Sequence, residues 1–408
     1  MIYFFFLLTL FGTLAADPIK LGIDVFLKEG HLSCLKNKKV GLVTNQTAVN
    51  SELKSTLELL KANAKDYRVV AIFAPEHGFY GRDRASQEIE DEDIDGIPIY
   101  SLHGPTRRPT EAMLKGIDVL IYDIQDIGSR SYTYITTLFY VMEEAAKKKI
   151  PVIVLDRPNP INGVTIDGPM LEESLRSMVG YINIPYCHGM TVGELAQFFN
   201  KEYKVGCHLE VIPMKGWLRA MSYRETGLPW IPTSPYIPES DTPLYYPITG
   251  VLGEMSLVNI GIGYTLPFKL IGAPWIHAME LCAALNNAHY PGVYFTPFFY
   301  RPFYGKFKNE NCEGVLITVS NPSKYKPLAV QFLIIETLRK LYPSNYKAAI
   351  ELNHGKQEMF SKVIGSKQVW ENLLSKRSFI SEMRNLHEHE KKAYYEKRSK
   401  YLIPDYSR

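Results

Sequence analysis

Residues 118–156 read DVLIYDIQDIGSRSYTYITTLFYVMEEAAKKKIPVIVLD, and this stretch decides the fold class. Continuous apolar runs at 118–124 and 151–156 flank a segment, 131–148, whose apolar residues have helical spacing. Strands that are apolar at every position are typical of parallel sheets covered by helices on both faces. The stretch therefore predicts a strand, a long helix and a second strand parallel to the first.

The same order of elements extends towards the N-terminus. Residues 39–44, 68–74 and 97–101 predict further strands, and residues 51–62 and 110–115 predict helices. This repeated strand–helix order predicts an α/β fold with a Rossmann-like open parallel sheet, which we place at residues 17–215. The sequence has no G-x-G-x-x-G motif, so it does not predict a dinucleotide cofactor.

The character of the sequence changes after residue 215. A Pro- and Tyr-rich stretch at 228–247 predicts a long connecting loop, because proline is unfavourable inside helices and central strands. Strands at 292–299 and 314–320 follow, with helices at 275–287 and 328–341 and a charged helical tail at 368–400. These elements predict a smaller α+β C-terminal domain, residues 216–408.

The composition excludes several classes of protein. The 408 residues contain 46 Lys and Arg against 43 Asp and Glu, a net charge of +3, and 46% are hydrophobic. So small a basic excess does not support binding to nucleic acid through bulk charge. The hydrophobic content is too high for a disordered chain, and 5 cysteines are too few for a disulfide-stapled miniprotein. We expect a globular protein without a nucleic-acid partner.

Residues 1–16, MIYFFFLLTLFGTLAA, predict a signal peptide. The run is apolar, ends in small residues, and is shorter than the roughly 18 or more residues usual in a membrane span. An uncleaved N-terminal membrane anchor is the alternative. We expect an exported protein, periplasmic or secreted, with no stable membrane association after the leader is cleaved.

Polar side chains follow the main predicted strands of the first domain. Because ligands bind at the carboxyl ends of the strands in open α/β sheets, we expect these side chains to line one polar pocket. They are Asn45, Glu76, His77, Arg82, Asp123, Gln125, Arg130, Tyr132, Asp156, Arg157, Asn159 and His188.

The chemistry of these residues fits an anionic sugar. Guanidinium groups such as those of Arg82, Arg130 and Arg157 bind carboxylates through paired hydrogen bonds. Carboxyl groups such as those of Glu76 and Asp123 act as general acids or bases. The aromatic ring of Tyr132 is suited to stacking on a sugar face.

A metal-dependent hydrolase is the main alternative from the residues alone. His77, His188, Asp123 and Glu76 carry suitable donor atoms, but the sequence has no H-E-x-x-H or paired-cysteine motif. A serine hydrolase is less favoured still, because the G-x-S-x-G motif is missing. We therefore predict neither a metal nor a cofactor.

Four motifs occur together in the first domain: PEHGFYGR at 75–82, YDIQDIGSRSYTYI at 122–135, VLDRPNPING at 154–163 and CHGMTVGELA at 187–196. With GLVTNQTA at 41–48, their order and spacing resemble the exo-β-N-acetylmuramidase family. The resemblance implies cleavage of single N-acetylmuramic acid residues from the non-reducing ends of peptidoglycan fragments. It also implies an active-site cleft between the two domains, catalysis by Glu76, and no nucleotide cofactor.

The expected mechanism assigns proton donation to Glu76, since glycosidases raise the pKa of this acid by burial. For the second catalytic group we place Asp123 first and Glu254 second, and the acetamido group of the substrate is a further alternative. Arg82, Arg130 or Arg157 is expected to bind the lactyl carboxylate. A non-catalytic periplasmic binding protein for sugars or muropeptides is the alternative function.

One segment departs from the family pattern. Many members carry an acidic-Gly-Arg-Gly segment before a Pro-Phe pair, whereas this chain has Ile260 and Ile262 at the two charged positions. Glu254 and Asn259 are then the polar candidates for substrate binding on the second wall of the cleft.

Overall fold

The computed structural model describes residues 18–84, 87–375, 378–384 and 386–407. The predicted signal peptide, residues 1–16, lies outside this part of the chain. Within the described ranges, no helix has the length and apolar character needed to cross a membrane.

The first domain contains a seven-stranded sheet with the strand order β3-β4-β2-β1-β5-β6-β7. All neighbouring strands are parallel except β3, which runs antiparallel to β4 at one edge. The strands are β1 Lys39–Thr44, β2 Arg68–Ala74, β3 Glu92–Ile94, β4 Ile97–Ser101, β5 Val119–Asp123, β6 Val152–Leu155 and β7 Leu209–Ile212.

Two hydrophobic clusters, one on each face, explain the continuous apolar runs of the central strands. Along β5, Leu120 and Tyr122 belong to one cluster, whereas Val119 and Ile121 belong to the other. Successive side chains of a strand point to opposite faces, so a strand buried on both sides needs an apolar residue at every position.

The smaller domain is built on a three-stranded antiparallel sheet with the order β8-β10-β9. Its strands are β8 Leu270–Ala273, β9 Val293–Tyr300 and β10 Cys312–Val319. The chain's helices are α1 Gly22–Lys28, α2 Thr56–Ala62, α3 Glu111–Leu114, α4 Tyr134–Lys148, α5 Val192–Glu202, α6 Thr242–Glu254, α7 Ala278–Asn286, α8 Pro327–Leu341, α9 Pro343–Leu352, α10 Gln357–Ile364, α11 Lys367–Asn372, α12 Phe379–Arg384 and α13 Glu388–Arg398. This architecture confirms the predicted fold class.

The prediction of a loop over the whole of 228–247 is wrong in its last part, where α6 begins at Thr242. Pro243 lies in the first turn, where a missing N–H costs the helix nothing. Pro247 lies inside the helix and removes one backbone donor, yet its carbonyl accepts a hydrogen bond from the buried Gln331 amide. Burial of α6 in the core of the second domain outweighs the local cost.

The tail of the chain returns to the first domain. In α13, the Tyr394 hydroxyl donates to the carbonyl of His188, and the Arg398 guanidinium donates to the carbonyl of Gly189. Tyr394 and Arg398 are both buried, so this charged helix contributes side chains to the packing against the first domain. Beyond α13, the Tyr406 hydroxyl donates to Asp156 at the end of β6.

Candidate active site

A cavity of about 380 Å³ lies between the two domains. Its first-domain wall includes Glu76 and His77, which follow β2, and Tyr132 and Thr133, which precede α4. Its second-domain wall includes Glu254 at the end of α6. The volume lies in the range of small-molecule binding sites, and carboxyl groups from both domains line the same space.

Glu76 is held in place by neighbouring side chains. The residue is 8% exposed, and its Oε2 accepts a hydrogen bond of 2.7 Å from the hydroxyl of Thr133. On the other side, Nε2 of His103 lies 3.5 Å from Oε1. The predicted catalytic residue therefore lines the cavity with both carboxylate oxygens next to polar groups.

His103 is a residue of this site that the sequence analysis missed. It is buried and follows β4, which is hydrogen-bonded to β2 in the sheet. The pKa of His103 is lowered to about 4, mainly by burial; the charge of Glu76 opposes this shift, and the charges of Arg107 and His77 contribute to it. The imidazole beside Glu76 is therefore neutral at neutral pH. The sequence could have indicated His103, because ligands bind at the carboxyl ends of the strands in open α/β sheets, and this rule applies to β4 as it does to β2.

His77 shapes the turn that carries Glu76. Its backbone φ is 72°, in the left-handed region, and its Nδ1 lies 2.7 Å from the carbonyl oxygen of Asp83. Non-glycine residues rarely adopt this conformation, and they do so where the surrounding structure holds them in it. Here the Asp83 contact closes the turn and keeps the His77 ring at the cavity wall.

A group of tyrosines supports the first-domain wall. The hydroxyls of Tyr132 and Tyr134 donate to the side chain and the carbonyl of Thr233, at 2.9 and 2.5 Å. The ring of Tyr246 meets that of Tyr132 edge to face at 6.1 Å. Burial raises the pKa of Tyr132 and Tyr246, the latter to about 12, so both phenols stay protonated. Tyr132 lines the cavity, as the sequence predicts.

The second-domain wall combines one carboxyl group with an apolar surface. Glu254 is exposed to the cavity, yet crowding by the surrounding protein raises its pKa, and the charge of Lys356 opposes this shift. Ile260 and Ile262 also line the cavity. The two isoleucines therefore give this wall an apolar patch beside Glu254.

Asn259 lines the same wall but is occupied by structural contacts. It is 2% exposed, and its amide donates to the carbonyls of Ile262 and Lys306 at 2.9 and 3.0 Å. Its Oδ1 accepts from the backbone of Gly261 and from the hydroxyl of Tyr300. Asn259 thus fixes the shape of the wall, and its side chain has no group left for a sugar.

The prediction that Asp123 acts on the substrate does not fit its position. Asp123 is fully buried at the end of β5 and forms an ion pair with Arg157, with contacts of 2.5 and 3.0 Å. The hydroxyl of Thr56, at the start of α2, donates to the same carboxylate. Asp123 has no exposed surface, so the structure places Asp123 and Arg157 against each other and outside the cavity lining.

The other two predicted arginines are also outside the cavity lining. Arg130 is fully buried, and its guanidinium donates to the carbonyls of Pro169, Ile184 and Ile364 at 2.7–2.8 Å. Arg82 is exposed and pairs with Glu92 at 2.6 Å. None of the predicted arginines is therefore placed to bind the carboxylate of a substrate in the cavity.

The remaining predicted residues are buried and stabilise the loops after the strands: Asn45, Gln125, Asp156, Asn159 and His188. Asp156 shows why, because its carboxylate accepts hydrogen bonds from Thr191, Tyr406 and the backbone of Gly193. These residues share the rim of the sheet with Glu76, but loops cover them. In the part of the chain that the structure describes, no cluster of three or more His, Cys, Asp or Glu residues is arranged to hold a metal ion.

The fold and the cavity define a two-domain α/β protein with carboxyl groups from both domains facing one cleft. Residues 40–241 match the family model described as exo-beta-N-acetylmuramidase NamZ, N-terminal. Residues 244–403 match the corresponding C-terminal model. The chain therefore belongs to the exo-β-N-acetylmuramidase NamZ family, which confirms the resemblance seen in the sequence.

Individual relatives agree with this assignment. The chain is 42% identical over 337 residues to the peptidoglycan beta-N-acetylmuramidase NamZ of Bacillus subtilis, covering 82% of this chain and 81% of that protein. It also resembles the crystal structures of two DUF1343 family proteins from Bacteroides fragilis. One has a TM-score of 0.88 and 41% identity, covering 94% of this chain and 98% of the other. The second has a TM-score of 0.70 and 30% identity, covering 95% and 99%.

Proposed function

We propose that this chain is an exo-acting glycosidase that releases β-linked N-acetylmuramic acid from the non-reducing ends of peptidoglycan fragments. The observation that carries the proposal is the placement of Glu76 and Glu254 on opposite walls of one interdomain cavity. Glycoside hydrolysis is usually performed by two carboxyl groups that flank the scissile bond. The activity named for the Bacillus subtilis relative supports the choice of sugar.

In the proposed mechanism, Glu76 donates a proton to the glycosidic oxygen as the bond to the anomeric carbon breaks. Its burial suits this role, since proton donors of glycosidases lie in sites shielded from water. Glu254 faces the developing positive charge on the sugar ring and stabilises it, or activates the attacking water. The acetamido group of the substrate is the alternative for this second role.

Substitution of Glu76 tests the proposal with two kinds of leaving group. Glu76→Gln is expected to lower kcat on an N-acetylmuramic acid–N-acetylglucosamine disaccharide by about 10²- to 10⁴-fold. The loss on a dinitrophenyl glycoside is expected to be much smaller, because that leaving group departs without a proton. Glu58→Gln, a change at an exposed residue that does not line the cavity, is the matched control.

The outcomes separate the possible roles. An equal loss of kcat on both substrates would show that Glu76 is not the proton donor and would indicate that it acts at the anomeric carbon. Near-normal turnover of both would exclude Glu76 from catalysis. Binding of the disaccharide without release by the wild-type protein would favour the non-catalytic binding protein instead.

We also propose that the chain is exported, to the periplasm or out of the cell. The support is the apolar, small-residue-terminated segment at 1–16. The full chain produced in a bacterial host is expected to be recovered outside the cytoplasm without these residues, as measured by mass spectrometry of the intact protein. Recovery of the uncleaved chain from the membrane fraction would favour the anchor instead.

A further inference from the structure

The three arginines expected to bind the substrate carboxylate do not line the cavity, so this role falls to another group. Among the described residues that line the cavity, Lys306 is the one lysine or arginine. It comes from the second domain, and it is half-buried. Its ammonium group lies over the ring of Phe307, 4.7 Å from the ring centroid. Among the described carboxylates, Glu310 acts on it by charge and not through a hydrogen bond.

The backbone of Lys306 is fixed to the cavity wall. Its carbonyl accepts a hydrogen bond of 3.0 Å from the buried Asn259 amide. The preceding loop residue Tyr304 packs so closely on Gly263 that an added Cβ at Gly263 would lie 1.9 Å from the Tyr304 carbonyl oxygen. Phe303 also donates its backbone N–H to the carbonyl of Gly263. Lys306 therefore lies on a loop that is held against the cavity wall.

The surroundings of Lys306 favour an anionic partner. Burial lowers the pKa of Lys306, and the positive charge of Lys356 lowers it further, while only Glu310 acts in the opposite direction. Lys356 is anchored next to the cavity by a hydrogen bond to the cavity-lining Ser256. Because the two positive charges repel each other, an anion that binds beside them in the cavity stabilises both. The apolar Ile262 nearby reduces screening by water.

We propose that Lys306 binds the lactyl carboxylate of N-acetylmuramic acid and selects this sugar over N-acetylglucosamine, which lacks the lactyl ether. The proposal rests on the proposed function and deepens it. The lysine takes the specificity role that the sequence assigned to Arg82, Arg130 or Arg157. It acts on binding in the ground state and the transition state alike, so its loss raises KM and leaves kcat unchanged.

Two chromogenic glycosides that differ only in the lactyl ether test this inference. Lys306→Met is expected to lower kcat/KM for the N-acetylmuramic acid glycoside by about 10- to 100-fold through KM, the loss of one charged hydrogen bond. The slower turnover of the N-acetylglucosamine glycoside is expected to stay the same. Lys306→Arg should keep most of the preference. Lys308→Met, which removes a charge from the exposed part of the same loop, should leave both substrates unaffected.

An unchanged ratio between the two glycosides in Lys306→Met, or an equal loss on both, would overturn the proposal. Calorimetric binding of free N-acetylmuramic acid and N-acetylglucosamine separates it from the proposed function. A preference for the acidic sugar that disappears in Lys306→Met supports the lysine even if no glycoside is cleaved. Turnover by the wild type with an unaltered preference in the variant would leave the enzyme assignment intact and remove only Lys306. Lys306→Gln repeats both measurements if the methionine variant does not fold.

Discussion

The hydroxyl of Thr133 donates a 2.7 Å hydrogen bond to Oε2 of Glu76, and this contact joins the start of α4 to the end of β2. Thr133 is the residue immediately before the first turn of α4, where the helix geometry fixes its position. The packing of a 15-residue helix on the sheet therefore helps to set the direction of the carboxyl group that we propose as the proton donor.

Loss of this hydroxyl is expected to reduce catalysis without unfolding the protein. Thr133→Val keeps the shape of the side chain but leaves Oε2 of Glu76 without its donor. We expect kcat to fall about tenfold, the effect of one hydrogen bond of about 1.4 kcal/mol. Thr133→Ser restores the donor and should return most of the activity in the same kinetic assay. A normal kcat in the valine variant would show that the contact is dispensable.

The ion pair of Asp123 and Arg157 is expected to matter for stability. Asp123→Ala leaves a buried guanidinium without its partner, which typically costs about 3–5 kcal/mol. Urea unfolding should show this loss, whereas Arg82→Ala, which breaks an exposed ion pair, should cost less than about 1 kcal/mol. Full stability of Asp123→Ala together with a large loss of kcat would restore the predicted catalytic role of Asp123.

The pH dependence of the reaction should report on Glu254. In the proposed mechanism the charged form of Glu254 stabilises the sugar cation, and crowding by the surrounding protein raises the pKa of Glu254. Acidification should therefore reduce kcat at a pH above the ordinary glutamate value of about 4.3. Lys356→Met should move this acid-side decrease of kcat, the acid limb of the pH profile, to still higher pH, because the lysine charge lowers the pKa of Glu254. An acid limb that is unmoved by this change would exclude Glu254 as its source.

His103 is expected to stay neutral well into the acid range. Its pKa is lowered to about 4, mainly by burial, and the negative charge of Glu76 raises it. A titration of the imidazole signals by NMR should show His103 protonating near pH 4, and Glu76→Gln should lower that midpoint further. A midpoint in the ordinary range near 6.5 would show that the ring is hydrated.

The central strands and helices could be predicted because burial on both faces leaves a continuous apolar signal. Along β5, every residue from Val119 to Tyr122 is buried in one of the two clusters. The helix α6 could not be predicted in the same way, because Pro247 contradicts a helix locally and only the packing of the second domain stabilises it.

The candidate site could be predicted only in part for a related reason. Sequence places Glu76, Asp123 and Arg130 at the same rim of the sheet, but it does not show which loops cover that rim. Thr56 and Arg157 enclose Asp123, and carbonyls as distant as that of Ile364 enclose Arg130. These contacts join residues far apart in the chain, and no local pattern reports them.

The hydrogen bonds of Tyr406 with Asp156 and with the backbone of Met214 have a consequence for the time at which the first domain can fold. The first domain receives one of its buried aromatic side chains from nearly two hundred residues downstream of its last strand. During translation, that domain stays incomplete until Tyr406 has emerged from the ribosome.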